Sequence, residues 1–241
     1  RGRLEKKFLG EFGDATVASL TKTKLDNWLA SQVKKSDHPE TVRKSKDSAN
    51  RVLSMIKAFL NHALRDPVNG ISNDNAWRLV KPFHGVARPR DIRYTPDEIR
   101  RLINNAPDQA TSNLIRGAYL TGARFGELAQ ALIRDFNPNE KTLWINSGKT
   151  GPRNIILQSE ASKFIASISV NREQDDFLFL KADGKVWKRS EQTRPFKEAL
   201  KKANMQNNGS IYALRHSYIS SAIEGGIPLN VIAENLSLIH I

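Results

Sequence analysis

The sequence predicts a mainly α-helical protein with a small β-sheet, arranged as a helical N-terminal domain (residues 1–88) and an α+β C-terminal domain (residues 89–241). Three observations carry this. Apolar residues recur at helical spacing through most of both parts. Two β-prone runs, Thr142-Leu143-Trp144-Ile145 and Asn154-Ile155-Ile156-Leu157, flank a segment rich in turn residues. Ala87-Arg88-Pro89-Arg90-Asp91 breaks the apolar pattern with a proline and charges, as an interdomain linker does.

The first domain opens with a short approach over residues 14–20. Leu25, Trp28, Leu29 and Val33 then share a helical face over residues 21–33, and His38-Pro39 interrupts it. The longest amphipathic stretch covers residues 41–64. Val52, Ile56, Phe59, Leu60, Ala63 and Leu64 form its stripe, and Lys44, Lys46, Arg51 and Lys57 fall on the polar side. Asp66-Pro67-Val68-Asn69-Gly70 ends it. In the second domain, Thr95-Pro96-Asp97-Glu98 reads as a helix start, with Thr95 as N-cap and Glu98 as its capping-box partner. Helices follow around residues 112–120 and from about Phe125. The β-hairpin comes next, and Phe177-Leu178-Phe179-Leu180 is a candidate further strand. Helices return over residues 191–204 and 211–225 and from Pro228 onward.

Composition narrows the function. The chain has 241 residues, 39% of them hydrophobic, and no cysteine. Disulfides and thiolate metal sites are therefore excluded, and a reducing cytosol is the expected compartment. No apolar run approaches the roughly 20 residues of a membrane span. Lys plus Arg number 38 against 25 Asp plus Glu, a formal charge of +13. Residues 1–88 carry 17 basic and 9 acidic side chains and the remainder 21 and 16, so the excess covers both domains. Such a surface favours a polyanion. Charge alone would equally suit an acidic membrane or ribosomal RNA.

Three elements carry chemistry. In Thr121-Gly122-Ala123-Arg124-Phe125-Gly126-Glu127-Leu128, a turn presents Arg124 at a helix start with Glu127 one turn on, able to orient it. A guanidinium can grip two phosphate oxygens. Lys149 sits in the hairpin loop. Ile211-Tyr212-Ala213-Leu214-Arg215-His216-Ser217 places a basic pair on a helix. Taken singly, each has a plain structural reading: a surface ion pair, a solvated lysine, an ordinary helix.

Together and in this order they resemble the tyrosine recombinases, the phage-type integrases. That family carries an Arg in a T-G-x-R-x-x-E-L turn, a Lys on a β-hairpin and a box ending in L-R-H, followed by a His or Trp and a nucleophilic Tyr. The resemblance runs from about Phe12 to about Asn235. It implies a SAM-like helical core-binding domain and an α+β catalytic domain that clamp double-stranded DNA. It also implies roles. Arg124 and Arg215 would hold the non-bridging oxygens of the scissile phosphate. Lys149 would protonate the leaving 5′ oxygen. A tyrosine would form a 3′-phosphotyrosyl link. Glu127 and His216 would support the pocket, while Lys44, Lys46, Arg51 and Lys57 would contact DNA from the first domain. Bond energy held in the protein–DNA ester removes any need for ATP, and the cations remove any need for a metal, so no cofactor is expected. The implied partners are double-stranded attachment sites and, for a full-length protein, a homotetramer on DNA.

Two departures stand out. Tyr212 occupies a position that is usually His; a phenol can donate a hydrogen bond to phosphate but accepts protons poorly near neutral pH. Near the end, Ser237 and Leu238 stand where the family has Gly and His, with His240 two places late. The four tyrosines, Tyr94, Tyr119, Tyr212 and Tyr218, all lie outside the region where a nucleophile is expected. Leu236-Ser237-Leu238-Ile239-His240-Ile241 can be encoded by CTGTCTCTTATACACATC, a transposon mosaic end used in sequencing libraries. The expectation is therefore a non-native ending that precedes the nucleophile. The opening at Arg1 suggests a lost arm-binding domain. Two readings follow: a site-specific recombinase that integrates or excises a mobile element, or a non-catalytic DNA-binding protein derived from an integrase. A basic RNA-binding protein explains the charge but not the ordered Arg, Lys and Arg elements.

Overall fold

In the computed structural model, which describes residues 5–88, 92–146, 151–205 and 209–237, the chain divides into two units, Arg1–Pro89 and Arg90–Ile241. Among the described residues no helix is long and apolar enough to cross a membrane. The fold is mostly helical with one small antiparallel sheet, as the sequence predicts.

The first unit is organised by two tryptophans. A π-helical turn, Glu5–Leu9, runs into a helical turn at Gly10–Phe12. Helix α1, Lys22–Ser31, starts at Thr21, whose hydroxyl accepts the Lys24 N–H. It buries Leu25, Trp28 and Leu29. Helix α2, Pro39–Leu64, has proline in its first turn, where the missing N–H costs nothing. Thus Pro39 opens this helix. Ala49, Val52, Leu53, Ile56 and Leu60 face the core with Trp28, Trp77 and Val80. Each indole N–H is satisfied: Trp28 Nε1 donates to Lys7 O and Trp77 Nε1, on the short helix α3 (Asn75–Arg78), donates to Asn61 Oδ1, both at 2.7 Å. Phe59, expected in the stripe, is instead 56% exposed, since the stripe turns away from it toward Leu60.

The second unit is a helical body with the sheet on one side. Helix α4, Pro96–Asn104, begins with the expected capping box: Thr95 accepts the Glu98 N–H and Glu98 accepts the Thr95 N–H. Helix α5, Gln109–Thr121, packs on α4 and leads to the short helix α6, Phe125–Leu128. Strands β1 (Phe136–Asn137), β2 (Thr142–Ile145) and β3 (Arg153–Ile156) pair antiparallel in the order β1-β2-β3. Thr142 faces Ile156 and Ile145 faces Arg153. Helices α7 (Ser159–Ser169), α8 (Thr193–Lys202), α9 (Tyr212–Glu224) and α10 (Leu229–Leu236) complete the unit. Helix α9 packs along α5, and α10 lies against β3.

Two expectations are corrected. Residues 177–180 form no strand. Phe177 makes an isolated bridge to Leu132 and Leu180 one to Val186, so the run changes partner before a ladder can extend. The sheet's third strand is β1. Helix α7 had no counterpart in the sequence reading, although Ala161, Phe164 and Ile165 face the core at helical spacing.

Close packing tests this arrangement at Gly117 on α5. A Cβ there would lie 2.5 Å from Cζ of Phe179, a buried ring. Gly117→Ala should destabilise the protein by about 1–3 kcal/mol. Gly126→Ala, with nothing within 4 Å of the added carbon, should be neutral or mildly stabilising. Chemical denaturation of both variants measures the contrast.

Candidate active site

A buried carboxylate sits at the centre of the site. Helix α5 ends at Gly122 in the left-handed conformation, φ +64°. An added Cβ would also lie 2.4 Å from Cδ1 of Tyr218, so backbone and space both demand glycine. The turn that follows makes Arg124 the N-cap residue of α6. Glu127 folds back onto it. Its Oε2 accepts the Arg124 backbone N–H at 2.8 Å and its Oε1 accepts Arg124 Nη1 at 2.7 Å.

A second guanidinium reaches the same carboxylate from the sheet. Alternation along β3 turns Arg153 and Ile155 inward and leaves Asn154 and Ile156 exposed. Arg153 donates Nη1 to Glu127 Oε1 at 3.1 Å and Nη2 to Oε2 at 2.8 Å, while its Nε donates to Asn235 O at 2.7 Å. The Asn235 side chain clasps the strand in return. Its Oδ1 accepts the Ile156 N–H at 2.8 Å, and its Nδ2 donates to Ile156 O and to the Tyr218 hydroxyl, both at 3.0 Å. Arg215, in the first turn of α9, donates Nη1 to Gly122 O at 2.8 Å and Nη2 to Leu236 O at 2.7 Å.

Glu127 and Arg215 are each 4% exposed and Arg153 8%. Burial pushes the Glu127 carboxyl up, but hydrogen bonds from Arg153 and from the Arg124 backbone and side chain outweigh it and hold the group below its ordinary value. Burial, with the nearby Arg124 charge, pushes Arg215 down to about 10, so it stays protonated at neutral pH. Three guanidiniums therefore surround one carboxylate, and the cluster is left net positive. The donors divide unevenly. Arg153 engages all three of its nitrogens within the cluster. Among the described residues Arg124 engages only Nη1, and its side chain is 26% exposed. Arg215 leaves Nε uncommitted. Two adjacent guanidiniums with spare N–H groups and a surplus of positive charge can grip the oxygens of one anion.

The structure thus brings Arg124, Glu127 and Arg215 together. Lys149 lies outside the described residues. Tyr212 is the first residue of α9 and 51% exposed, with its ring edge-on to His216 at 5.2 Å. The four cations of α2 expected to contact DNA do not share one face. Lys44 and Arg51 lie about 20° apart around the helix, as do Lys46 and Lys57, and the two pairs point in nearly opposite directions. Lys44 and Arg51 are exposed and pair with Glu40 and Asp47. Lys46 lies over the Phe83 ring at 5.4 Å, and the half-buried Lys57 donates to Val80 O at 2.8 Å. Desolvation and neighbouring Lys81 lower the Lys57 pKa. Sequence reasoning missed Arg153 and Asn235. The available signal was an arginine on the inward phase of an otherwise apolar strand, a position that demands a buried partner.

A net-positive guanidinium pocket on an α+β domain defines an anion-gripping protein, and comparison with known proteins names the family. The model of the phage integrase family matches residues 93–237. The tyrosine recombinase XerA of Pyrococcus furiosus is 30% identical over 207 residues, which cover 78% of this chain and 65% of that protein. The chain spans less than two thirds of the length of this relative. XerD of Mycobacterium tuberculosis is 22% identical over 97% of this chain and 79% of its own length. Among solved structures, a lambda integrase dimer bound to a COC′ core site superposes with a TM-score of 0.75 at 16% identity, covering 95% of this chain and 83% of that one. The Tn1549 transposon integrase in complex with transposon right end DNA gives 0.68 at 18% identity, covering 97% and 81%. The chain belongs to the phage integrase family of tyrosine recombinases.

Two outcomes test the site's construction. Gly122→Ala combines left-handed strain with a clash on Tyr218 and should destabilise the fold by roughly 2–4 kcal/mol in denaturant titration. The paired Glu127 carboxyl stabilises the fold fully above its ordinary pKa of 4.5, and that contribution is lost as pH falls through the lower folded value. Glu127→Gln should therefore lose less stability than the wild type on acidification below pH 4.5, measured by thermal melts across pH.

Proposed function

We propose that this chain is the DNA-engaging part of a site-specific recombinase that acts on duplex attachment sites of a mobile element. The observation that supports this best is the convergence of Arg124 and Arg215, both with spare donors, on a buried cluster with excess positive charge. In this reading the two guanidiniums hold the non-bridging oxygens of the scissile phosphate and stabilise the charge that builds on phosphorus. The Tyr212 hydroxyl donates a further hydrogen bond to the phosphate, and His216 supports it. A tyrosine oxygen bonds to phosphorus as the P–O5′ bond breaks, and Lys149 gives the leaving oxygen its proton. Lys44 and Arg51 contact the duplex backbone from the helical domain, residues 1–88, while residues 89–241 carry the pocket. Lambda integrase is known as a tetramer bound to a Holliday junction, and we extend tetramer assembly on DNA to the longer protein.

The attacking tyrosine is not among the four of this chain. Tyr94 and Tyr218 are buried, with Tyr218 accepting from Asn235. Tyr119 is bonded to Ser221, and Tyr212 stands on the same helical turn as Arg215. These surroundings also favour a second reading, a DNA-binding protein without strand cleavage.

Selection from random duplexes should give a preferred site, on which single methylphosphonates neutralise one linkage at a time. One linkage should weaken wild-type binding by about tenfold or more when neutralised and add little to Arg124→Ala or Arg215→Ala. Uniform small losses at every linkage, with no coupling to either arginine, would overturn the pocket. On a nicked suicide substrate this chain should form no covalent adduct; an adduct would make one of its four tyrosines the nucleophile.

A further inference from the structure

We propose that Arg153 is a positioning residue for this pocket: it fixes the plane of the Glu127 carboxylate, and so sets the direction in which Arg124 presents its remaining donors. The inference rests on the phosphate-gripping reading above and concerns a residue whose three nitrogens are all bonded within the cluster.

The geometry argues this in three steps. Arg153 has all three of its nitrogens engaged within the cluster, which leaves it fewer spare N–H groups than Arg124 or Arg215. Its fork touches both oxygens of Glu127, at 3.1 and 2.8 Å. Arg124 itself donates to both oxygens, to Oε2 from its backbone and to Oε1 from Nη1; the planar fork of Arg153 adds a second pair of bonds from the opposite element and so further restrains the carboxylate's last torsion. The Arg124 guanidinium, bonded to that carboxylate through Nη1 alone at 2.7 Å, inherits the orientation. The remaining nitrogen of Arg153 holds Asn235 O at 2.7 Å, the carbonyl next to Leu236 O, which receives Arg215. One side chain therefore stands at the root of both phosphate-gripping arginines. It also anchors the base of the hairpin that carries Lys149, four positions earlier in sequence.

A merely structural arginine and a positioning arginine make different predictions. Arg153→Lys keeps the charge but cannot fork. Arg153→Met removes both charge and fork, and Arg153→Met with Glu127→Gln avoids leaving a buried carboxylate unpaired, which keeps a foldable variant in hand. The readout is the binding penalty for methylphosphonate at the coupled linkage. The wild type should show about tenfold. Arg153→Lys and Arg153→Met should fall to about threefold or less while binding of the unmodified site persists, with a salt slope reduced by about one phosphate. The double variant should show a penalty close to that of Glu127→Gln alone, because the proposed positioning of Arg124 runs through that carboxylate rather than through the Asn235 carbonyl. Without the fork, Glu127 takes up a proton at higher pH, so the penalty in Arg153→Lys should shrink further from pH 8 to pH 5.5 while the wild type stays flat.

A full penalty retained in Arg153→Lys and in the double variant, with only the melting temperature lowered, would overturn the inference and leave the pocket standing. No coupled linkage in the wild type would overturn the pocket and the inference together.

Discussion

A carboxylate with 4% of its surface exposed and two guanidiniums on it is the constraint around which the second unit is arranged. An isolated buried charge is prohibitive, and removing one partner of a buried pair is more damaging than never having had it. The surrounding sequence follows from that. Glu127 must lie one turn after Arg124, so α6 must begin at the arginine. Arg124 must turn out of α5 abruptly, so Gly122, two positions before it, is a left-handed glycine against the Tyr218 ring. The strand opposite must deliver a cation on its inward phase, so β3 begins with Arg153 rather than with another aliphatic residue. Asn235 then satisfies the edge of β3 where Ile156 would have been left unpaired.

Such a triad is poor evidence for stability, since aliphatic residues of similar volume often do as well. Its value lies in direction. A surface arginine samples many rotamers and loses that freedom when it binds. Arg124 and Arg215 are fixed beforehand by Glu127 and by the carbonyls of Gly122 and Leu236. Charge that is already aimed needs no reorganisation when an anion arrives, which is how preorganised donors favour a transition state over its ground state. The excess of guanidinium over carboxylate supplies the attraction, and the division of donors decides which arginines keep N–H groups to offer.

Much of this was legible beforehand. The capping box at Thr95 and Glu98, the long helix through Leu64 and the hairpin around Lys149 follow from local chemistry, and local chemistry is what a sequence displays. Arg124, Glu127 and Arg215 were legible through their resemblance to a family motif. What failed did so for tertiary reasons. Residues 177–180 have strand composition but find two successive partners in different places. Phe59 has the right spacing, yet the stripe of α2 is narrower than its apolar content. Lys44, Lys46, Arg51 and Lys57 of α2 are all polar-side by composition, but two of them are drawn in toward Phe83 and Val80. Arg153 was hidden because its partner is 26 positions away, beyond any local pattern.

The end of α10 shows how the pocket is tied to a helix terminus. The last carbonyls of a helix carry partial negative charge and lack partners within the helix. Here two of them, on Asn235 and Leu236, are capped by Arg153 and Arg215. Ser237 follows in the left-handed conformation, φ 51°, the conformation glycine adopts most readily and the residue the family usually places there. Ser237 therefore takes a backbone conformation that suits the glycine expected there from the resemblance. Any displacement of α10 pulls on a carbonyl that Arg215 holds, and Arg215 holds Gly122 with its other hand. Arg215 thus joins the end of this helix to the turn that presents Arg124 through two hydrogen bonds.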